Sequence, residues 1–324
     1  MFSGRDSLAQ STAQRIDALV IVEATAVVLV DVIALLGNVL VFAVASKNRR
    51  RLTITDILII ALSLTDLLVA LTVMPLSAGA LITGVWLYNR WLCLFQGFCV
   101  ITFACASLNT LSVIAVNRYY CVVKYNDYRR VFSIKRTLGY LILVWLAAFC
   151  FSIPPLLFSA DDYAFQAGKV LCVYPFEINL AYTVCLDVLF IGVPTATISY
   201  CYWHVFRTVQ QRNRAVSGKG QELTTRMNVQ EANITKTLIV VVVGFALCWF
   251  PVLVMDTIDV ATGDLILPRQ LYLFYTFMVF LSSTINPFIY ALVNKRFRKD
   301  YWRVLRLLLR RRVTEPTLEF SATR

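Results

Sequence analysis

Histidine is nearly absent: His204 is the only one in 324 residues. That removes the material for most histidine metal sites and for Ser-His-Asp catalysis, and no HExxH motif is present. Charge is scarce as well. Asp, Glu, Lys and Arg make up 15% of the chain, against about 25% in ordinary soluble domains. The first stretch, Met1 to Gln14, has no apolar signal-peptide core, so the first hydrophobic helix is expected to direct insertion itself. The nine cysteines do not form a dense extracellular framework. Most lie in apolar runs, where a cysteine is a small buried hydrophobe.

What remains is 59% hydrophobic, too much for one soluble core of this length. Crossing a bilayer takes about 20 mainly apolar residues. Seven such runs are present, at 18–46, 54–82, 90–123, 137–158, 179–206, 233–259 and 269–293. Only helices satisfy their own backbone groups in lipid. The expected fold is therefore all-α: a seven-transmembrane helix bundle over 18–293, with a polar segment 1–17 before it and a tail 294–324 after it. Prolines 75, 154, 155, 194, 251 and 287 sit inside the runs. They are tolerated where neighbouring helices or waters take up the freed carbonyls.

Basic residues crowd one side. Lys47, Arg49, Arg50 and Arg51 fill the first connection, Lys124 to Arg136 the third, Arg207 to Lys236 the fifth, and Lys295 to Arg312 the tail. The other side has Arg5, Arg15, Arg90, Lys169 and Arg269, with Asp161, Asp162, Glu177, Asp259 and Asp264. Lysine and arginine mark the cytoplasmic side, which puts the N-terminus outside and the C-terminus inside a plasma-membrane protein. The net charge of +12 is thus a topology signal, and no nucleic-acid partner is expected. Cys93 and Cys172 alone among the cysteines lie where an oxidising exterior would join them. The alternative is two unpaired thiols.

Ionisable groups inside a membrane are costly and tend to be functional. Asp66 lies mid-span, with Asn38, Ser107, Ser282, Ser283 and Asn286 at similar depth. These could form a hydrated pocket for a cation such as Na⁺, or a hydrogen-bonded cluster around a protonated Asp66. Arg118 ends the third span with Glu231 as its matching charge, or else it snorkels to the interface. Asp187, Asp256 and Glu177 gather near the outer side and would favour a cationic ligand or a basic peptide, unless they reach headgroup water. After Asn294, Phe297, Tyr301, Leu305 and Leu308 recur at helical spacing among basic residues. That is the pattern of an amphipathic helix lying on anionic membrane lipid.

Taken in order, these features resemble the rhodopsin-like (class A) G-protein-coupled receptors, from about Leu35 to Leu308. Gly37-Asn38-Val39 resembles the first-helix signature and Leu64-Thr65-Asp66 the second. Cys93 with Asn117-Arg118-Tyr119 resembles the third, Trp145 the fourth, and Pro194 with Tyr202 the fifth. Phe245 to Pro251 and Asn286-Pro287-Phe288-Ile289-Tyr290 resemble the sixth and seventh. The resemblance implies a receptor, not an enzyme, which passes binding of an extracellular small-molecule or peptide ligand to a heterotrimeric G protein, with arrestin and receptor kinases as further partners. It implies a hinge at Trp249, Phe245 and Pro251, sodium at Asp66, Ser107 and Asn286, and restraint of Arg118 by Glu231. It also implies that Tyr202 and Tyr290 stabilise the open form. Asn117 stands where the family has aspartate, so one local ionic restraint on Arg118 is missing.

Asn117-Arg118-Tyr119 and Ala181-Tyr182-Thr183 are similar to the melatonin receptors. The ligand residues of that group do not carry over: Pro155, Phe176 and Phe190 stand at those positions. Amine receptors have an aspartate where this chain has Val100, and opsins a retinal-binding lysine where it has Phe280. A Schiff base needs that amine, so no retinal and no other cofactor is expected. Val100, Ile101, Phe176, Glu177, Asp187, Phe190, Trp249, Asp256 and Phe280 are the candidate pocket. The ligand alternatives are an indole like melatonin and a cationic amine or peptide. A transporter would show internal repeats and a channel a filter or charged rings; neither is present.

Overall fold

The computed structural model describes residues 4–13, 15–46, 52–158, 163–176, 178–216, 222–293, 298, 299, 301–303 and 306, with the backbone alone over 212–216 and 222–234. Seven helices are long and apolar enough to cross a membrane: Asp17–Ser46, Ile54–Thr83, Arg90–Val122, Ile134–Leu157, Leu180–Gln211, Thr235–Thr262 and Arg269–Val293. They are called the first to seventh spans below. Their bounds differ from the sequence expectation by up to five residues at an end.

Local chemistry explains where spans begin. Thr53 and Asp56 form a reciprocal capping box ahead of the second. Asn89, Ser133 and Asn179 accept from the amides of Leu92, Arg136 and Tyr182 ahead of the third, fourth and fifth. Prolines mark the irregularities. The second span breaks at Val73, just before Met74-Pro75. The fourth breaks at Ile153, before Pro154. The fifth contains a π-helical turn, Asp187–Gly192, immediately before Pro194. A proline withholds its own amide and crowds the carbonyl four residues earlier. The turn absorbs that defect.

Two cores stack along the bundle axis. One joins Leu58, Leu62, Leu111, Ile114, Phe245 and Tyr290 near the Arg118 end. The other joins Met74, Leu81, Phe103, Val252 and Phe280 near the end that carries the disulfide. Gly37 is needed where it stands, because a Cβ there would sit 2.8 Å from the Pro287 ring. The glycine of the first-span signature thus receives the proline of the seventh.

Cys93 and Cys172 are bonded, with Cα atoms 5.3 Å apart and a sequence separation of 79. Closing so long a loop stabilises by about 4 kcal/mol in the chain-entropy account. The bond ties a hairpin, β1 (Ala164–Gln166) against antiparallel β2 (Leu171–Val173), to the third span. Gly97 lets the connection descend, since a Cβ there would lie 2.3 Å from the Tyr163 ring. Above the hairpin lies a helix unforeseen in the polar N-terminal segment, Gly4–Ala13. Leu8 packs with Leu265 and Tyr272, and the Thr12 hydroxyl donates to the Ala167 carbonyl at 3.3 Å. Of the proposed amphipathic tail helix, Tyr301 is helical and buried in the first core. Phe297, Leu305 and Leu308 lie outside the described residues.

Gly97→Ala is expected to cost about 1–3 kcal/mol by overpacking, read as a lower melting temperature of purified protein. In a Tyr163→Gly background the same change should cost much less, because the Cβ and ring it meets are both gone.

Candidate functional site

Between the hairpin and the bundle centre lies a cavity of about 470 Å³, within the range of small-molecule sites. Val100, Ile101, Phe176, Asp187, Phe190, Trp249 and Asp256 all line it. Phe280 does not. It is fully buried in the second core, because its face of the seventh span packs against neighbouring helices. Glu177 lies outside the described residues. Phe245 joins Trp249 at the cavity wall, and the two rings stack at 5.6 Å. The Trp249 indole N–H is buried with no partner among the described residues.

The expected negative cavity is partly neutralised by one lysine shared between two carboxylates. Lys169 turns inward from the hairpin, 1% exposed, and its Nζ lies 2.9 Å from Asp256 Oδ1 and 3.0 Å from Asp259 Oδ2. The Tyr275 hydroxyl donates to Asp256 at 3.1 Å and the Tyr272 hydroxyl to Asp259 at 2.5 Å. The Thr276 hydroxyl donates to the Lys169 carbonyl. Burial disfavours the Lys169 ammonium, but the carboxylates of Asp256 and Asp259 outweigh it and hold its pKa above the ordinary 10.5. Next to it Val170 has φ 51°, a left-handed conformation that is an outlier for a β-branched residue. Asp256 therefore already has its cation. The Asp187 side chain has no hydrogen bond or ion pair among the described residues, and it is the cavity's open acid.

Two further cations of this end, Arg15 and Arg269, are also matched. Glu23 is held by Arg15 at 2.7 Å and by Arg269 in a two-pronged contact. Arg15 further donates to the Leu81 carbonyl. Sequence reading placed Arg15, Lys169 and Arg269 on this side as scattered charges. Glu23, eight positions after Arg15, was the signal missed.

Below the cavity, Asp66 is 2% exposed and accepts from Asn286 Nδ2 at 2.8 Å. Ser283 is its second hydrogen-bond partner. Asn38 donates to the Ser283 carbonyl at 2.9 Å, and its own Oδ1 is buried with no partner among the described residues. The Ser107 and Ser282 hydroxyls turn elsewhere, to Thr65 Oγ1 at 3.0 Å and the Val279 carbonyl at 2.7 Å. A carboxylate, an orphaned amide oxygen and a hydroxyl are hard donors that suit a hard cation. Asn286 faces the group with its NH₂, so it orients Asp66 and is no ligand in this arrangement.

At the far end Arg118 is 2% exposed. It donates to Asn117 Oδ1 at 2.7 Å and to Thr55 Oγ1 at 2.6 Å. Asn117 Nδ2 donates to the Tyr128 hydroxyl at 3.3 Å. The missing aspartate is thus replaced by a neutral acceptor, which takes a bond of the same direction from the guanidinium. The Glu231 side chain lies outside the described residues. Tyr119 makes ring contacts with Tyr120, Tyr200 and His204. The Tyr202 hydroxyl is buried with no partner among the described residues. Tyr290 is fully buried in the first core, and Pro251 and Pro287 lie inside their helices.

Residues 37–290 match the profile of the 7 transmembrane receptor (rhodopsin family). The melatonin receptor type 1B-B of Danio rerio is 28% identical over 297 residues, covering 90% of this chain and 84% of that receptor. The octopamine receptor beta-1R of Drosophila melanogaster is 24% identical over 320 residues, covering 90% of this chain and 63% of that receptor. The crystal structure of squid rhodopsin superposes with a TM-score of 0.78 at 23% identity, over 91% of this chain and 88% of that one. That likeness speaks to the fold.

Lys169→Met, which strands two carboxylates, is expected to destabilise by about 3–5 kcal/mol. Adding Asp256→Asn and Asp259→Asn should recover most of the loss. Because the folded pKa of Lys169 is raised, its contribution is complete below about pH 10.5 and is lost as pH rises through the folded value. Thermal melts across pH 9–12 should show a wild-type decline that the triple variant lacks.

Proposed function

The chain belongs to the rhodopsin family of seven-transmembrane receptors, making it a multi-pass G-protein-coupled receptor of the plasma membrane, and from that premise we propose how it reads its ligand. The disulfide end faces outside and the Arg118 end faces the cytoplasm, in line with the crowding of basic residues in the connections at the Arg118 end. The ligand is a small, mainly apolar molecule with one cationic or strongly donating group, held at Asp187 against the aromatic wall of Phe176, Phe190 and Trp249. The relatives are named for melatonin, an indole, and octopamine, an amine. The amine-like contact is the better supported of the two, because Asp187 is open while Asp256 is taken.

The observation that carries this reading is the place of Trp249 and Phe245. Both line the cavity and both pack against the core that reaches Arg118. A ligand that moves them acts on the sixth span just below Pro251, where the missing amide permits a bend. It need only favour the open state by a few kcal/mol. Opening frees Arg118 from Asn117 and Thr55 to meet the G protein, and gives the orphaned Tyr202 hydroxyl a partner. Glu231 adds an ionic restraint in the closed state. Asp66, Asn38 and Ser283 would hold a sodium ion, which supplies a counter-charge to the buried carboxylate and favours the closed state. Arrestin and receptor kinases act at the same cytoplasmic face, and the tail helix rests on inner-leaflet lipid.

The test is ligand-free G-protein activation in cells at matched surface expression. Arg118→Ala should abolish the basal signal, and a variant that signals like wild type would contradict the assignment. Asn117→Asp turns a guanidinium bond to an uncharged oxygen into an ion pair, and should lower basal activity several-fold. Asp66→Asn should remove the suppression of basal activity by added sodium; suppression that persists in the variant would place the ion elsewhere.

A further inference from the structure

We infer that the cavity is reached from the lipid, through a slot between the fifth and sixth spans, and that it takes a membrane-soluble amphiphile with one cationic group. This deepens the ligand reading above and rests on it for the ligand's effect, whereas the route stands on geometry alone.

The disulfide end offers little passage among the described residues. Lys169 to Tyr174 are all buried, pinned by the disulfide and by the ion pairs of Lys169. Gln96 fixes β2 further by accepting from the Cys172 amide at 2.8 Å. The N-terminal helix covers the turn from above through Leu8 and Thr12.

The side of the bundle is different. The third span packs closely on the fifth, and the sixth on the seventh, but the fifth and sixth barely approach each other among the described residues. Val184, Asp187 and Thr195 of the fifth span both line the cavity and are exposed. So are Ala246, Phe250 and Thr257 of the sixth, Phe250 to 69%. A residue that is at once cavity wall and outer surface marks an opening, and here that surface faces hydrocarbon. A lone carboxylate beside lipid is costly. Asp187 stands at this opening without a partner, so a ligand ammonium arriving in the membrane would relieve it. Within, the Trp249 N–H is a buried donor with no acceptor, fitting a ligand that carries an acceptor beyond its cationic end. An uncharged lipid tail would satisfy neither group.

The native thiol Cys105 lines the cavity and is free, while Cys201 is buried and outside it. Purified full-length protein in lipid nanodiscs is treated with benzyl methanethiosulfonate, which partitions into lipid, or with its sulfonatoethyl analogue, which stays in water. Labelling is read by peptide mass spectrometry. The benzyl reagent should label Cys105 at least tenfold faster than the sulfonatoethyl reagent. Ala246→Trp and, on the opposite wall, Thr195→Trp should each slow benzyl labelling of Cys105 at least fivefold and leave Cys201 unchanged. Comparable rates for the two reagents, or plugs without effect in folded variants, would overturn the route. Octylamine should protect Cys105 in wild type but not in Asp187→Asn, and octanol in neither. Equal protection by octanol would overturn the cationic requirement. None of these readings needs a G protein, so failure here is distinct from failure of the receptor reading.

Discussion

Lys169 is placed where an unpaired ammonium could not stay, and that constraint organises the whole disulfide end. A buried charge is tolerated when it is paired and its remaining hydrogen-bonding capacity is used. Here two carboxylates from the sixth span and two tyrosine hydroxyls from the seventh meet the requirement. One lysine therefore joins the hairpin to two spans, while the disulfide joins it to a third. The left-handed Val170 beside it is the conformational cost, borne because burial and pairing over-determine the turn. With Asp256 and Asp259 committed in this way, Asp187 is left as the acid proposed to meet a ligand.

The same rule runs down the molecule. Glu23 is matched by two arginines, Asp66 by the Asn286 amide, and Arg118 by two neutral oxygens. The matches differ in strength, and the difference fits the proposed use. The outer pairs are ionic and multiple, suited to a fixed cap. At Arg118 the bonds to Asn117 and Thr55 end on uncharged oxygens, which are easier to exchange for a partner protein than a carboxylate.

Much of this was legible in the sequence. Lipid demands long apolar runs, so the seven spans show plainly, and Cys93 at the start of the third run with Cys172 in a connection stands out against seven cysteines deeper in the runs. Seven of the nine candidate pocket residues line the cavity, because the motifs on the spans and the cysteine of the connection fix their places by resemblance. Phe280 escaped that placing, since depth does not say which face of a helix packs inward. Lys169 was visible only as one of five scattered outer cations. Its inward turn depends on hairpin register and on the backbone of Val170, neither of which has a local signature. The Gly4–Ala13 helix was equally hidden, because its polar residues have weak preference alone and it is held by the docking of Leu8 and Thr12.

The account's central claim is that ion pairing at Lys169 seals the disulfide end into one rigid cap. Hydrogen–deuterium exchange of the full-length protein in nanodiscs measures this directly at the amides of Leu171, Cys172 and Val173. Protection at these three amides close to that of the third-span interior is the predicted result. Exchange as fast as that of an open surface loop would show the cap to be loosely held and would contradict the claim.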